Sequence, residues 1–251
     1  MSALLSIGYG LACYSVSLCT ILYTIGFVGA FVVPKSIDTG GGAPLGEALV
    51  VNTLLLGLFA VQHSVMARQG FKRWWTRFVP PAIERSTFIL AASLTLALLF
   101  WQWRPITAVV WQIEDSAGVL LLQAAFWLGW AVLLVSSFLI NHFELFGLHQ
   151  VFARLVDRPL PQPTFRTPLF YRYVRHPIYL GLLIAFWAAP TMSVGHLLFS
   201  IAMTGYIFLG VWFEERDLIR QFGDRYRLYR EQVGMLLPSS GKARDENQAV
   251  Q

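Results

Sequence analysis

The stretch PIYLGLLIAFWAAPTMSVGHLLFSIAMTGYIFLGVWF, residues 177–213, carries no charged side chain. It is too long for one crossing of a hydrocarbon core of about 30 Å, which takes roughly 20 helical residues. Pro190-Thr191-Met192-Ser193 interrupts it with helix-breaking chemistry. The stretch therefore predicts a hairpin of two helices, a short one to Ala189 and a longer one from about Val194. A hairpin this apolar belongs in a membrane.

The remainder of the chain agrees. Residues 1–34 hold no charge, and further uncharged runs extend from Ala48 to Ala67, Ser86 to Trp103 and Ser116 to Phe143. Of the 251 residues 56% are hydrophobic and 13% charged, with a mean hydropathy of +0.56, outside the range of a soluble domain. The first run has no basic residues before it and exceeds the length of a signal-peptide core, so it is expected to remain as a membrane helix. The predicted fold is all-α: a polytopic membrane protein with five to six hydrophobic helical segments, the last two forming a hairpin.

Basic residues set the orientation. Arg68–Arg85 and Arg154–Arg175 each hold 5 Lys or Arg and Arg216–Arg244 holds 7, against only Lys35 and Arg104 elsewhere. Counting the hairpin as two passes puts all three basic segments on one side, so both termini are expected in the cytoplasm. The net charge of +5 then matches anionic lipid headgroups, and a nucleic-acid partner is not expected. Cys13 and Cys19 lie six residues apart on one predicted helix and should stay unpaired. Gly40-Gly41-Gly42 reads as a turn, and SSGKARDENQAVQ, 239–251, as a disordered tail. Trp74, Trp75, Trp101 and Trp103 read as interfacial anchors, and His196 as structural.

Polar residues at the ends of apolar helices mark candidate sites, because their burial in lipid is costly. His63 closes the second helix; His142, Glu144 and His149 close the fourth; Arg175 and His176 open the fifth; Glu214, Glu215 and Arg216 close the sixth. All fall on the predicted cytoplasmic side, which suggests a shared cavity. In YVRHPIYLG, 173–181, proline favours the first helical turn and pushes the residue before it out of the helix. His176 is therefore a cap, and with Arg175 and the free N–H groups of Ile178, Tyr179 and Leu180 it forms an anion site. Beyond the sixth helix, Leu218, Phe222, Tyr226, Tyr229 and Val233 recur at helical spacing and predict a cytoplasmic amphipathic helix that continues it. Asp217–Arg220 and Arg227–Glu231 pairs would lace its exposed face. The Glu214-Glu215 carboxylates at the junction need a cationic partner, either a ligand group or Arg175.

The motif RHPIYLG, 175–181, followed by EERD, 214–217, and FGDRYRLY, 222–229, resembles the C-terminal signature of the integral-membrane methyltransferases that include isoprenylcysteine carboxyl methyltransferase and the phospholipid methyltransferases. The resemblance implies an S-adenosylmethionine site at the cytoplasmic face, within about 141–238 of a single domain spanning 1–238. Sterol reductases share a similar signature with a nicotinamide cofactor. Across nearly the whole chain, QHSVMAR, FKRWWTRFVP, IERSTF, LLFWQWRP, NHFELFGLHQVF, PTMSVGHLLF and YIFLGVWFEERDL resemble the bacterial methanethiol S-methyltransferases of the inner membrane, and the N-terminal half is similar in part to NnrU-like proteins.

That resemblance implies methyl transfer from S-adenosylmethionine to a small thiol, methanethiol and by extension hydrogen sulfide, without a metal. The cofactor carboxylate suits Arg175 and His176. Its ammonium or ribose suits Glu214 and Glu215 with Arg216 beside them, while Tyr179, Leu180, Gly181, Tyr226 and Tyr229 line the remainder. The thiolate is the nucleophile, so His142, Glu144, His149 and His63 are candidates for activating the thiol. His142 and His149, seven residues apart on one helix, would face one cavity at two depths. A prenylcysteine or phospholipid acceptor, or a haem-binding or transport role for the histidines, are the alternatives.

Overall fold

The computed structural model describes residues 2–160 and 164–238; the predicted tail, 239–251, lies outside them. Ten α-helices run α1 (Ala3–Gly29), α2 (Leu45–Ala67), α3 (Gln69–Trp75), α4 (Pro81–Gln102), α5 (Ser116–Ile140), α6 (His142–Leu145), α7 (Leu148–Leu155), α8 (Pro177–Trp187), α9 (Val194–Phe222) and α10 (Asp224–Gln232) among the described residues. Helices α1, α2, α4, α5 and α9 are long and apolar enough to cross a membrane. Helix α8, with 11 residues, rises only about 16 Å, half a bilayer core.

Local chemistry sets the ends. Ser2 caps α1 by accepting from the Leu5 amide, Asp115 caps α5 through Gly118, and Ser193 caps α9 through His196. Pro81 and Pro177 occupy the first turns of α4 and α8, where a missing N–H costs nothing.

The predicted hairpin is present, with a difference at each end. Between its helices, β2 (Thr191–Ser193) pairs antiparallel with β1 (Val109–Gln112), Trp111 opposite Met192. These short strands have no periodicity to read in sequence. At the far end the expected continuous helix breaks: Gly223 adopts φ 60°, ψ −132°, and α10 restarts at Asp224. Arg227 there pairs with Asp224 at 2.6 Å rather than with Glu231.

Contacts sort the loops to two ends. At one, Trp103 Nε1 donates to the Ile37 carbonyl at 2.9 Å, Asn52 bonds the Arg104 backbone in both directions, and Ser193 donates to Asp38. Trp103 is fully buried here, not an interfacial anchor, whereas Trp101 is exposed. At the other end, Arg68 pairs with Asp217 at 3.2 Å and Arg85 Nε donates to the Leu145 carbonyl at 2.8 Å. Arg68–Arg85, the described part of Arg154–Arg175, and Arg216–Arg230 gather at this second end, as the charge pattern predicts.

Between the ends, aromatic side chains of α1, α4, α8 and α9 fill the core, including Phe27, Phe100, Phe186 and Phe199. Helix α8 packs most closely against α5. A Cβ at Gly129 would lie 2.6 Å from the Gly181 carbonyl oxygen, and one at Gly181 would lie 2.5 Å from that of Gly129. The two backbones touch as small-residue membrane interfaces do. Gly129→Ala or Gly181→Ala is expected to destabilise the protein by about 1–3 kcal/mol in detergent unfolding. Gly205→Ala, which meets nothing within 4 Å, should leave stability unchanged or raised. Equal stability of all three would contradict the close α5–α8 contact.

Candidate active site

The start of α8 and the end of α9 bring opposite charges together. Arg175 Nε donates to Glu215 Oε1 at 2.8 Å, and His176 Nε2 lies 3.1 Å from the same oxygen. Arg230 reaches the other oxygen of Glu215 at 3.7 Å. The side chains of Arg175, His176 and Glu215 are all at least 88% buried. Of the two partners open to Glu215 in sequence, Arg175 is the one it takes. Tyr179 donates its hydroxyl to Glu214 at 2.8 Å, and Glu214 remains half-exposed.

The chain beyond α10 completes the cluster. Arg175 Nη1 donates to the carbonyls of Arg230 and Val233, and the amides of Arg175 and His176 donate to the carbonyls of Gly234 and Met235. A parallel bridge joins Val174 to Gly234. Sequence reasoning missed this clasp, because a few extended residues carry no pattern. His176 occupies the cap position of α8, but its side chain turns to Glu215 instead of capping. The expected trio of open amides is reduced, since the Leu180 N–H already donates to the His176 carbonyl. Leu180 lies on α8, and Gly181 sits at the α5 contact. Arg216 stands apart, its guanidinium 4.6 Å over the exposed Trp212 ring.

Tyr226 is buried beside Tyr229 and Phe165, and its hydroxyl has no hydrogen-bond partner among the described residues. Tyr229 donates to the Tyr171 carbonyl. Burial pushes the hydroxyls of Tyr171, Tyr226 and Tyr229 above the ordinary phenol range, so all three stay protonated donors at neutral pH.

The four candidate acceptor residues do not share one place. His142 and His149 are not on one helix face: α5 ends at Ile140, α6 carries His142, and Gly147 at φ 81° turns the chain before α7. His142 is buried with both ring nitrogens engaged, Nε2 lying 3.0 Å from the Tyr14 hydroxyl and Nδ1 2.9 Å from Ser137 Oγ. Burial lowers its pKa, which keeps the ring neutral at neutral pH. Glu144 accepts from Asn141 at 2.7 Å, and His149 Nδ1 lies 3.9 Å from Glu144. His63 is carried by α2 instead, its ring centre 4.8 Å from that of Phe88 and 6.1 Å from that of Tyr206.

Comparison with known proteins places this architecture. The chain is 58% identical to methanethiol S-methyltransferase of Mycobacterium tuberculosis over 238 residues, 95% of this chain and 98% of that one. It is also 58% identical to methanethiol S-methyltransferase 1 of Bradyrhizobium diazoefficiens, over 92% of this chain and 81% of the relative. The chain belongs to the methanethiol S-methyltransferase family. Nurim of Mus musculus is a more distant relative, 28% identical over 68% of each chain. No family profile and no solved structure matches.

In this member of the methanethiol S-methyltransferase family, the charged cluster lines neither of two cavities among the described residues. One of about 400 Å³ lies between α1 and α7, lined by Leu11, Asn141, Phe143, His149 and Phe152. The other, about 540 Å³, lies at the opposite end, beside Asp38, Trp127 and His196. His196 is structural there, its Nε2–H donating to the Phe186 carbonyl at 3.0 Å.

Glu215→Gln is expected to destabilise the protein by about 3 kcal/mol, because it leaves the buried Arg175 uncompensated. In a double-mutant cycle read by unfolding in detergent, adding Arg175→Gln should recover part of that loss. Additive effects of the two changes would contradict the ion pair.

Proposed function

We propose that the chain transfers the methyl group of S-adenosylmethionine to the sulfur of a small thiol, methanethiol, forming dimethyl sulfide. The observation that carries this reading is 58% identity extending over 95% of the chain to a methanethiol S-methyltransferase. That span reaches well outside the α8–α9 signature, so it bears on the acceptor as well as the donor. The reading takes 1–238 as one catalytic domain in the bacterial inner membrane, with the donor part at about 141–238. The basic end, both termini and the active site face the cytoplasm, in keeping with the positive-inside bias.

The residues fit a zwitterionic donor. Cations at the start of α8 stand beside carboxylates at the end of α9, and the Tyr226 hydroxyl is a buried donor in want of a partner. Arg175 and His176 would hold the carboxylate. Glu214 would hold the ammonium or ribose hydroxyls, with Glu215 keeping the two cations in place. Tyr179, Tyr226 and Tyr229 would border the adenine and sulfonium, Leu180 and Gly181 would shape the wall, and Arg216 would guard the rim. When bound, the donor supplies an electrophilic methyl carbon on a cationic sulfur.

On the acceptor side, His63 has a buried Nδ1 with no hydrogen-bond partner among the described residues and is the base in this reading. His142 positions the α5–α6 corner through its two hydrogen bonds. Glu144 and His149 flank the apolar side cavity through which a membrane-dissolved thiol would enter.

Calorimetric titration of S-adenosylhomocysteine should show His176→Ala and Glu214→Gln weakened about 10–150-fold, the scale of one charge-assisted hydrogen bond. In turnover assays methanethiol should be methylated and farnesylcysteine should not. Wild-type affinity in both folded variants would remove the donor site from α8 and α9, and methylation of farnesylcysteine alone would favour a prenylcysteine enzyme.

A further inference from the structure

Resting on the methyl-transfer reading above, we propose that Arg85 is the cation that holds the acceptor sulfur as its thiolate. The acceptor site lies between α2, α4 and α9, bounded by Phe59, His63, Phe88 and Tyr206, and His63 Nδ1 takes the thiol proton.

Arg85 is held in place but not neutralised. Its Nε donates to the Leu145 carbonyl at 2.8 Å and its guanidinium lies 4.9 Å over the Phe88 ring. A guanidinium has five N–H donors, and among the described residues no other hydrogen bond or ion pair engages this one. Glu84, Glu144, Glu214, Tyr179, Lys72 and His63 lie within electrostatic reach of it. None of the three carboxylates forms an ion pair with it among the described residues. Charge at a membrane helix end without a partner is costly and tends to mark function.

His63 is the matching feature. It packs on the same Phe88 ring as Arg85, with Phe59 at 5.5 Å and Tyr206 at 6.1 Å between ring centres. With the ring proton on Nε2, its buried Nδ1 offers a lone pair that no described residue uses. Aromatic walls suit a small sulfur compound, because sulfur gains from contact with ring edges. His142, by contrast, has no nitrogen to spare. The nearness of Arg85 to Tyr179 and Glu214 ties this position to the proposed donor end.

In the step itself the S–H bond breaks, its electron pair stays on sulfur, and the proton forms an N–H bond at His63 Nδ1. The thiolate then pairs with the free arms of Arg85. An opposite charge at such range lowers an acid's pKa by about 1–3 units.

Infrared difference spectra of bound ethanethiol test the proposal without turnover. The S–H stretching band should fade at a pH about 1–3 units lower in the wild-type protein than in Arg85→Gln, with Arg85→Lys in between. In turnover, the acid limb of the kcat/KM profile should move up by about 1–3 pH units in Arg85→Gln. Trifluoroethanethiol, a more acidic thiol, should suffer a smaller loss than ethanethiol. S-adenosylhomocysteine affinity within about twofold of wild type would show that the variants fold, given that a lost charge-assisted bond costs tenfold or more. An S–H band that fades at the same pH in the wild-type protein and in folded Arg85→Gln overturns the proposal. An unmoved acid limb in folded Arg85→Gln overturns it as well. If the wild-type protein forms no dimethyl sulfide from methanethiol, the functional reading itself fails; if it does and the two proteins lose the band at the same pH, only the role of Arg85 falls.

Discussion

One buried carboxylate organises the basic end of this protein. Glu215 receives Arg175 and His176 from the start of α8 and faces Arg230 from α10. Each of these charges alone would be expensive to bury, so the cluster forms as a unit or not at all. Through Arg175 the same cluster captures the carbonyls of Arg230 and Val233 and holds the segment after α10 against α8. Pro177 fixes where α8 begins, and the Gly129–Gly181 contact fixes how deep it sits against α5. A helix of only 11 residues is thereby anchored at its start and near its middle.

The arrangement separates two electrostatic tasks. Around Glu215 the charges hold one another in place, which fixes Arg175 and His176 at the start of α8. Glu214, half-exposed and bonded to Tyr179, and Arg85, bonded through Nε to the Leu145 carbonyl, keep hydrogen-bonding capacity that no described residue takes up. Methyl transfer from a sulfonium to a thiolate begins with opposite charges and ends with neutral products, so fixed dipoles and positioned charges that bring the two sulfurs into line supply most of what the protein must do.

Much of this was readable where a constraint is local. Proline at 177 and 190 dictates helix boundaries from its own ring, and both the hairpin and the start of α8 came out as the sequence predicts. The clustering of Arg and Lys gave the sidedness of the loops for a similar reason: charge cannot enter lipid. Features that depend on partners distant in sequence were not readable. Gly223 and Gly147 sit inside helical patterns that tolerate glycine, yet each adopts a positive φ, breaking one helix and separating His142 from His149. Trp103 looks like an interfacial anchor until Ile37 offers its carbonyl from another loop. Arg85 was not readable, because one arginine near the start of an apolar helix resembles an ordinary snorkelling residue, and only its lack of an ion partner among the described residues sets it apart.

The central claim is that a donor bound beside the Glu215 cluster passes its methyl to a small thiol. Reconstituting the protein in sealed vesicles and supplying methyl-labelled S-adenosylmethionine on one side, with methanethiol free to cross, tests this most directly. Label should appear in headspace dimethyl sulfide only when the donor is on the side bearing the C-terminus, as mapped by protease accessibility. Unlabelled dimethyl sulfide, no dimethyl sulfide, or label arising from donor on the opposite side would contradict the account.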